Sequence, residues 1–160
     1  MKEQFNPFHF IVTNSMPDAF AEIKGNTQNP LLRGTAAFYR TPMGGILIEV
    51  EVFHLPDNGS ADESDFFGMH IHEFGDCSDD FDKVGDHYNP LNLPHPEHAG
   101  DLPPLLSNNG YAWSVVYDSR LSISEIVGRS IIIHGGRDDF TTQPSGHSGS
   151  KIGCGVIEAF

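Results

Sequence analysis

The sequence predicts an all-β domain, a sandwich or barrel built from seven or more short strands. Three observations carry this expectation. Short runs alternate apolar and polar residues. Turns rich in Gly, Pro and Asn separate the runs. Helical periodicity is nearly absent along the 160 residues. That length suits one domain with a substantial core.

Taken in order, residues 1–18 read as an N-terminal extension and residues 19–160 as the domain. The extension holds one six-residue apolar run, FHFIVT. It is too short for a signal-peptide core, and no small-residue cleavage site follows. A cytoplasmic location is the expectation, unless a leader precedes the chain. The first strand is expected over 20–24 (FAEIK). The next two, 34–40 (GTAAFYR) and 45–53 (GILIEVEVF), flank a Thr-Pro-Met-Gly turn and read as a hairpin. In the second of these, Ile46, Ile48, Val50 and Val52 share one face. Glu49 and Glu51 share the other, which is expected to meet water. Further strands are expected over 67–74, 111–117, 130–134 and 152–158, with one short helical turn in 122–128. Two long stretches, 75–104 with five prolines and 135–151, read as irregular. Long loops in a compact domain point to function.

Composition narrows the partners. The net charge is −13, from 22 acidic and 9 basic residues. Nucleic acid and anionic membranes are disfavoured, because like charges repel. No apolar run approaches the ~20 residues of a membrane-spanning helix.

The histidines carry the chemistry. There are nine, six of them between residues 70 and 134. In GMHIHEFGDC, His70 and His72 alternate on a strand and so face one way. In HYNPLNLPHPEHAGD, His87, His95, His98 and Asp101 follow at intervals of eight, three and three. Three imidazoles and a carboxylate suit a tetrahedral zinc site; histidines turned to solvent are the alternative. His134 closes the run SIIIH, where a neighbouring strand would bring it beside His70 and His72. Three or four imidazole nitrogens with open access suit copper. Cys77 and Cys154 could be buried thiols, metal ligands or a disulfide, and a cytosolic setting favours thiols.

The segments GMHIHEFGDC, GDHYNP, HPEHAGDL, IIIHGGRDDF and SGSKIGCGVI, in this order, resemble the copper/zinc superoxide dismutase family, bacterial-type members included. The resemblance spans about residues 20–158. It implies a Greek-key sandwich or barrel of about eight antiparallel strands with two long functional loops. It implies copper held by His70, His72, His134 and His87, and zinc held by His87, His95, His98 and Asp101. His87 would bridge the two metals. Asp138 would link a copper-site and a zinc-site histidine from behind. Cys77 and Cys154 would form a disulfide, against the cytosolic prior. Closing so long a loop stabilises by roughly 4–5 kcal/mol as an upper figure.

The activity so implied is dismutation of superoxide to O2 and H2O2, with His87 as proton carrier and Lys151 as the cation at the copper mouth. Arginine is usual at that place in the family. Lysine keeps the charge but loses the planar fork of donors. The alternative function is a copper/zinc-binding module without turnover, a chaperone or a buffer. The resemblance leaves the assembly open between a monomer and a homodimer. His9 and His54 are expected at the surface, and Arg137 as a solvated loop charge.

Overall fold

Alternating burial along each strand shows how the sequence makes this fold. In a computed structural model, described for residues 6–56 and 64–160, the chain runs α1 (Pro7–Asn14), β1 (Ala19–Gly25), β2 (Arg33–Arg40), β3 (Ile46–Phe53) and β4 (Phe66–His72). A short 3-10 turn (Asp79–Phe81) follows, then β5 (Asp101–Leu106), β6 (Tyr111–Asp118), α2 (Ile123–Ile126), β7 (Ser130–His134), β8 (Lys151–Val156) and β9 (Glu158–Ala159). Eight antiparallel strands lie in the order β5-β4-β7-β8-β1-β2-β3-β6, with β9 beside β1. The two ends of that order approach each other, so the barrel is nearly closed. Its interior holds Ile23, Phe38, Ile48, Val50, Phe67, Met69, Ile71, Ile131 and Ile133, all fully buried. Burying a side chain of this size contributes about 1.5–3 kcal/mol.

The expected hairpin is β2–β3, in register from Arg33↔Phe53 to Arg40↔Ile46. Ile46, Ile48, Val50 and Val52 face the core as anticipated. Glu49 and Glu51 are only half-buried, because aromatic side chains cover them. Glu49 accepts from Trp113 Nε1 at 3.0 Å and Tyr39 Oη at 3.2 Å, and Glu51 from Tyr111 Oη at 2.9 Å.

Three boundaries differ from expectation. The stretch 75–104 is not irregular to its end: DLPPLL forms β5 despite two prolines. It can do so because β5 ends the strand order and pairs with β4 alone, and proline is tolerated on an edge. The strand expected over 67–74 stops at His72. Within the N-terminal extension, Pro7–Asn14 is a helix. Asn6 Oδ1 caps it by accepting from Phe8 N at 3.0 Å, with Pro7 in the first turn. Phe8 stacks on Tyr117, ring centroids 4.9 Å apart. Residues 1–5 of the extension lie outside the described residues. No helix among the described residues is long and apolar enough to cross a membrane.

Cys77 and Cys154 are joined as a disulfide, Cα atoms 5.8 Å apart. It pins the loop after β4 to β8, over a small apolar cluster of Phe81, Val84 and Ile132.

Candidate metal centre

Alternation on β4 turns Ile71 into the core and His70 and His72 to the opposite side. β7 pairs antiparallel with β4 (Met69↔Ile133, His72↔Ser130), which brings His134 alongside. Gly68 makes room there: a Cβ on it would stand 3.4 Å from His134 Cβ and 2.9 Å from Ser148 Cβ. His87 arrives on the loop, which is laid against β4 by Tyr88 N donating to Ile71 O (2.8 Å) and Glu73 N donating to Asp86 O (3.0 Å). The ring of His87 lies 3.8 Å from that of His70 and 4.9 Å from that of His72.

Two groups result. His70, His72, His87 and His134 present nitrogens within 4.8 Å of one another, and so do the donor atoms of His87, His95, His98 and Asp101. All seven residues foreseen from the sequence therefore converge, with His87 in both groups.

Backbone carbonyls dictate which nitrogen faces inward, because a carbonyl can only accept. His72 Nδ1 donates to Gly85 O at 2.8 Å and His134 Nδ1 donates to Gly149 O at 3.2 Å. Both Nε2 atoms are thus left with lone pairs, 3.4 Å apart and facing each other. His70 Nε2 engages Asp138 Oδ2 at 2.8 Å, which frees its Nδ1. His70 Nδ1 and His87 Nε2 are buried without a hydrogen-bond partner. Four lone pairs converging without a proton among them fit a cation and little else. This is the ligand orientation that outer hydrogen bonds impose on metal-binding histidines.

The second group differs in its donors. His87 Nδ1 lies 2.7 Å from Asp101 Oδ1, and His95 Nδ1 and His98 Nδ1 lie 3.0 and 3.2 Å from Asp101 Oδ2. The last two contacts are close but not in hydrogen-bonding geometry, as expected when nitrogens and carboxylate aim at a common point between them. Three nitrogens and one carboxylate oxygen suit zinc, and an all-imidazole set suits copper.

Charge behaviour agrees. Burial pushes His70 down to about 4, against the pull of Asp138, and pushes His72 and His134 down to about 2 and about 3. These rings are neutral ligands at neutral pH. Burial works to raise Asp138, but hydrogen bonds from His70, the Phe140 amide and His95 hold it down at about 2. Its carboxylate joins the groups from behind, Oδ2 on His70 and Oδ1 on His95 Nε2 at 2.9 Å. Gly146, at φ +65°, packs against this link, where a Cβ would strike Asp138 and His95.

Several positioning residues escaped the sequence reading. Gln143 clamps the His95 backbone, with Nε2 on its carbonyl (2.7 Å) and Oε1 on its amide (2.9 Å). Arg120, paired with Asp118, donates to the carbonyls of His98 (3.0 Å) and Asp101 (2.8 Å). The carbonyls of Gly85 and Gly149 have no side-chain signature at all. Lys151 lines the cavity above the first group. Arg137 and His147 are exposed and do not line it, and His9 and His54 are exposed elsewhere.

Residues 32–157 match the family model described as copper/zinc superoxide dismutase (SODC). The chain belongs to the copper/zinc superoxide dismutase family. It is 33% identical over 130 residues to superoxide dismutase [Cu-Zn] 1 of Aquifex aeolicus, covering 71% of this chain and 73% of that one. It is 31% identical over 108 residues to the copper chaperone for superoxide dismutase of Rattus norvegicus, covering 59% and 39%. It spans about two fifths of the length of the mammalian extracellular superoxide dismutases it matches, for example 39% of the Mus musculus protein at 36% identity. A crystal structure of a double mutant of a SOD-like protein from Bacillus subtilis superposes with a TM-score of 0.72 at 29% identity, covering 88% of this chain and 97% of that one. The copper/zinc superoxide dismutase family is thus consistent with both donor sets, and the two clusters are suited to copper and zinc.

Proposed function

We propose that the protein is a superoxide dismutase, turning two superoxide ions and two protons into O2 and H2O2. One observation carries this reading. The inward nitrogens of an all-imidazole cluster form the floor of an open cavity, and one of those rings is shared with a second, carboxylate-containing cluster behind it. His70, His72, His134 and His87 would hold copper; His87, His95, His98 and Asp101 would hold zinc. Copper would supply a one-electron acceptor and donor, and zinc a redox-inert positive charge.

The chain's own residues do the remainder. His87 keeps Nδ1 on the Asp101 side and turns Nε2 to the cavity floor, where it could take up a proton and offer it to an oxygen anion that enters. Asp138 fixes the rings of His70 and His95, so the two clusters keep their relative position. The Lys151 ammonium, half-buried in the cavity wall, favours an anion at the floor. Burial of all seven residues keeps bulk water from competing.

The second reading, a metal-binding module without turnover, is favoured by the acidic residues that also line the cavity. Superoxide consumption by protein reconstituted with copper and zinc, against zinc alone, decides between them. Consumption is expected only with both metals. No consumption with both metals, or equal consumption with zinc alone, rejects the dismutase reading.

A further inference from the structure

The cavity over the first histidine cluster measures about 430 Å³, and His72, His87 and His134 form its floor. Its rim holds three carboxylates, Asp80, Asp82 and Asp86, all exposed, against one ammonium, Lys151. Among the described residues, no other cationic side chain lines it. Lys83, on the same loop, is paired with Asp79 at 2.6 Å.

We propose that this acidic rim makes the mouth a collector of cations: Asp80, Asp82 and Asp86 speed capture of the metal ion by the histidine floor and oppose entry of superoxide. The first half needs only a metal-binding floor; the second rests on the dismutase reading.

The rim is built rather than incidental. Asp79, Asp80 and Phe81 have φ of 51°, 50° and 75°, a left-handed run that non-glycine residues keep only where their surroundings hold it. The buried Phe81 anchors it beside the disulfide. Asp80 is then tied across to the β1–β2 loop, accepting from Thr27 N at 3.0 Å and Thr27 Oγ1 at 2.6 Å. Those bonds hold its carboxyl below the usual range, so it is ionised at neutral pH. Beneath the rim, His87 Nε2 is buried, without a hydrogen-bond partner and at the cavity floor.

The sign of the effect follows from what lies below. In the metal-free protein the floor presents ring nitrogens with no hydrogen donor on them, and Lys151 alone stands against the three carboxylates. A cation approaching the mouth meets net attraction, three carboxylates against one ammonium, focused by the low-dielectric walls. Once metal is bound, its own charge attracts an anion from below, so the rim opposes superoxide less strongly than it helps the ion.

The test is stopped-flow mixing of chelator-stripped full-length protein with Cu²⁺, following the visible absorbance of the bound ion. The capture rate should fall steeply as ionic strength rises to physiological, where the Debye length is ~8 Å. The double variant Asp82→Asn/Asp86→Asn, which spares the Asp80–Thr27 tie, should capture about tenfold more slowly at low salt and show a weaker salt dependence. Lys151→Gln should capture faster than the parent, which a damaged fold could not produce. In the loaded protein, superoxide consumption should rise with added salt. A capture rate indifferent to salt, or unchanged in the double variant, overturns the proposal; so does consumption that falls with salt. A loaded protein that consumes no superoxide at any salt rejects the dismutase reading, while the capture rates still decide the first half.

Discussion

The two histidine clusters share a ring yet are built from opposite materials. The first takes three of its four residues from β4 and β7, and backbone carbonyls and one outer carboxylate orient those three rings. The second sits almost wholly on the loop between β4 and β5, carries its own carboxylate, and is held by clamps on backbone atoms from Gln143 and Arg120. A sheet keeps its histidines in place with or without an ion, since ladder bonds and core packing fix the strands. The loop is anchored at its start by the disulfide, Phe81, Val84 and Tyr88, but between residues 89 and 100 it fully buries no apolar side chain, and that part depends on what binds inside it. On the dismutase reading, the difference would make the first a rigid, open site for chemistry and the second a closed site whose ion orders the loop.

Removing both metals should have the largest effect. Ions present at a thousand times their dissociation constants stabilise by about 4 kcal/mol per site. A chelated sample should therefore melt well below the loaded one. Hydrogen exchange should show residues 85–100 losing protection while the amides of β4 and β7 keep theirs; equal loss in both would erase the contrast between sheet and loop. The metal-free protein should also become sensitive to acid. His70, His72 and His134 titrate below their ordinary value of 6.5 in the fold, so the unfolded chain binds more protons once the pH drops below that value. Their contribution is complete above pH 6.5 and is lost progressively as the pH falls through about 4 for His70, about 3 for His134 and about 2 for His72. Urea melts of chelated protein across that window check the sign.

Next in size is His87→Ala, which cuts both clusters at once. Superoxide consumption should fall by roughly 100-fold or more, and the copper absorption should change shape. A variant that keeps its activity would mean that the shared ring has no part in turnover. Asp138→Ala should then weaken both sites together, by about 10–100-fold in metal affinity, measured by competition with a chelator. Weakening at one site alone would show that the link between His70 and His95 is not a common support. Smallest is Lys151→Arg, expected to raise superoxide consumption by about twofold, since a forked donor holds an anion better than a point charge. An unchanged or lower rate would place the limit on entry elsewhere, and the acidic rim is the first place to look.

Much of this architecture was legible beforehand. The β2–β3 hairpin, the alternation of Ile46, Ile48, Val50 and Val52, the short turn in 122–128 and the pairing of His70 with His72 all rest on periods of two to four residues, which a sequence displays directly. Spacing also nominated His87, His95, His98, Asp101 and His134, and the resemblance to a known family supplied the shared role of His87, the part of Asp138 and the disulfide. β5 was missed because two prolines argue against a strand, and only its position at the end of the strand order makes them tolerable. The helix Pro7–Asn14 is not visible in the sequence because a capped eight-residue helix gains its stability from packing, here Phe8 on Tyr117.

By itself, then, the sequence determined the strand periods, the acidity and the residue types available to bind metal. Tertiary structure decided which atom of each ring faces inward, because the acceptors that choose it are the carbonyls of Gly85 and Gly149, and every residue has a carbonyl. It gave Asp138 to the two clusters and left its neighbour Asp139 to hold its own turn through Thr141 and Thr142, although the two side chains are chemically identical. It also set three aspartates from the disulfide loop at the rim of a cavity whose floor comes from β4, β7 and His87. Interactions within a few residues can be read from local order; those between distant segments exist only once the chain has brought them together.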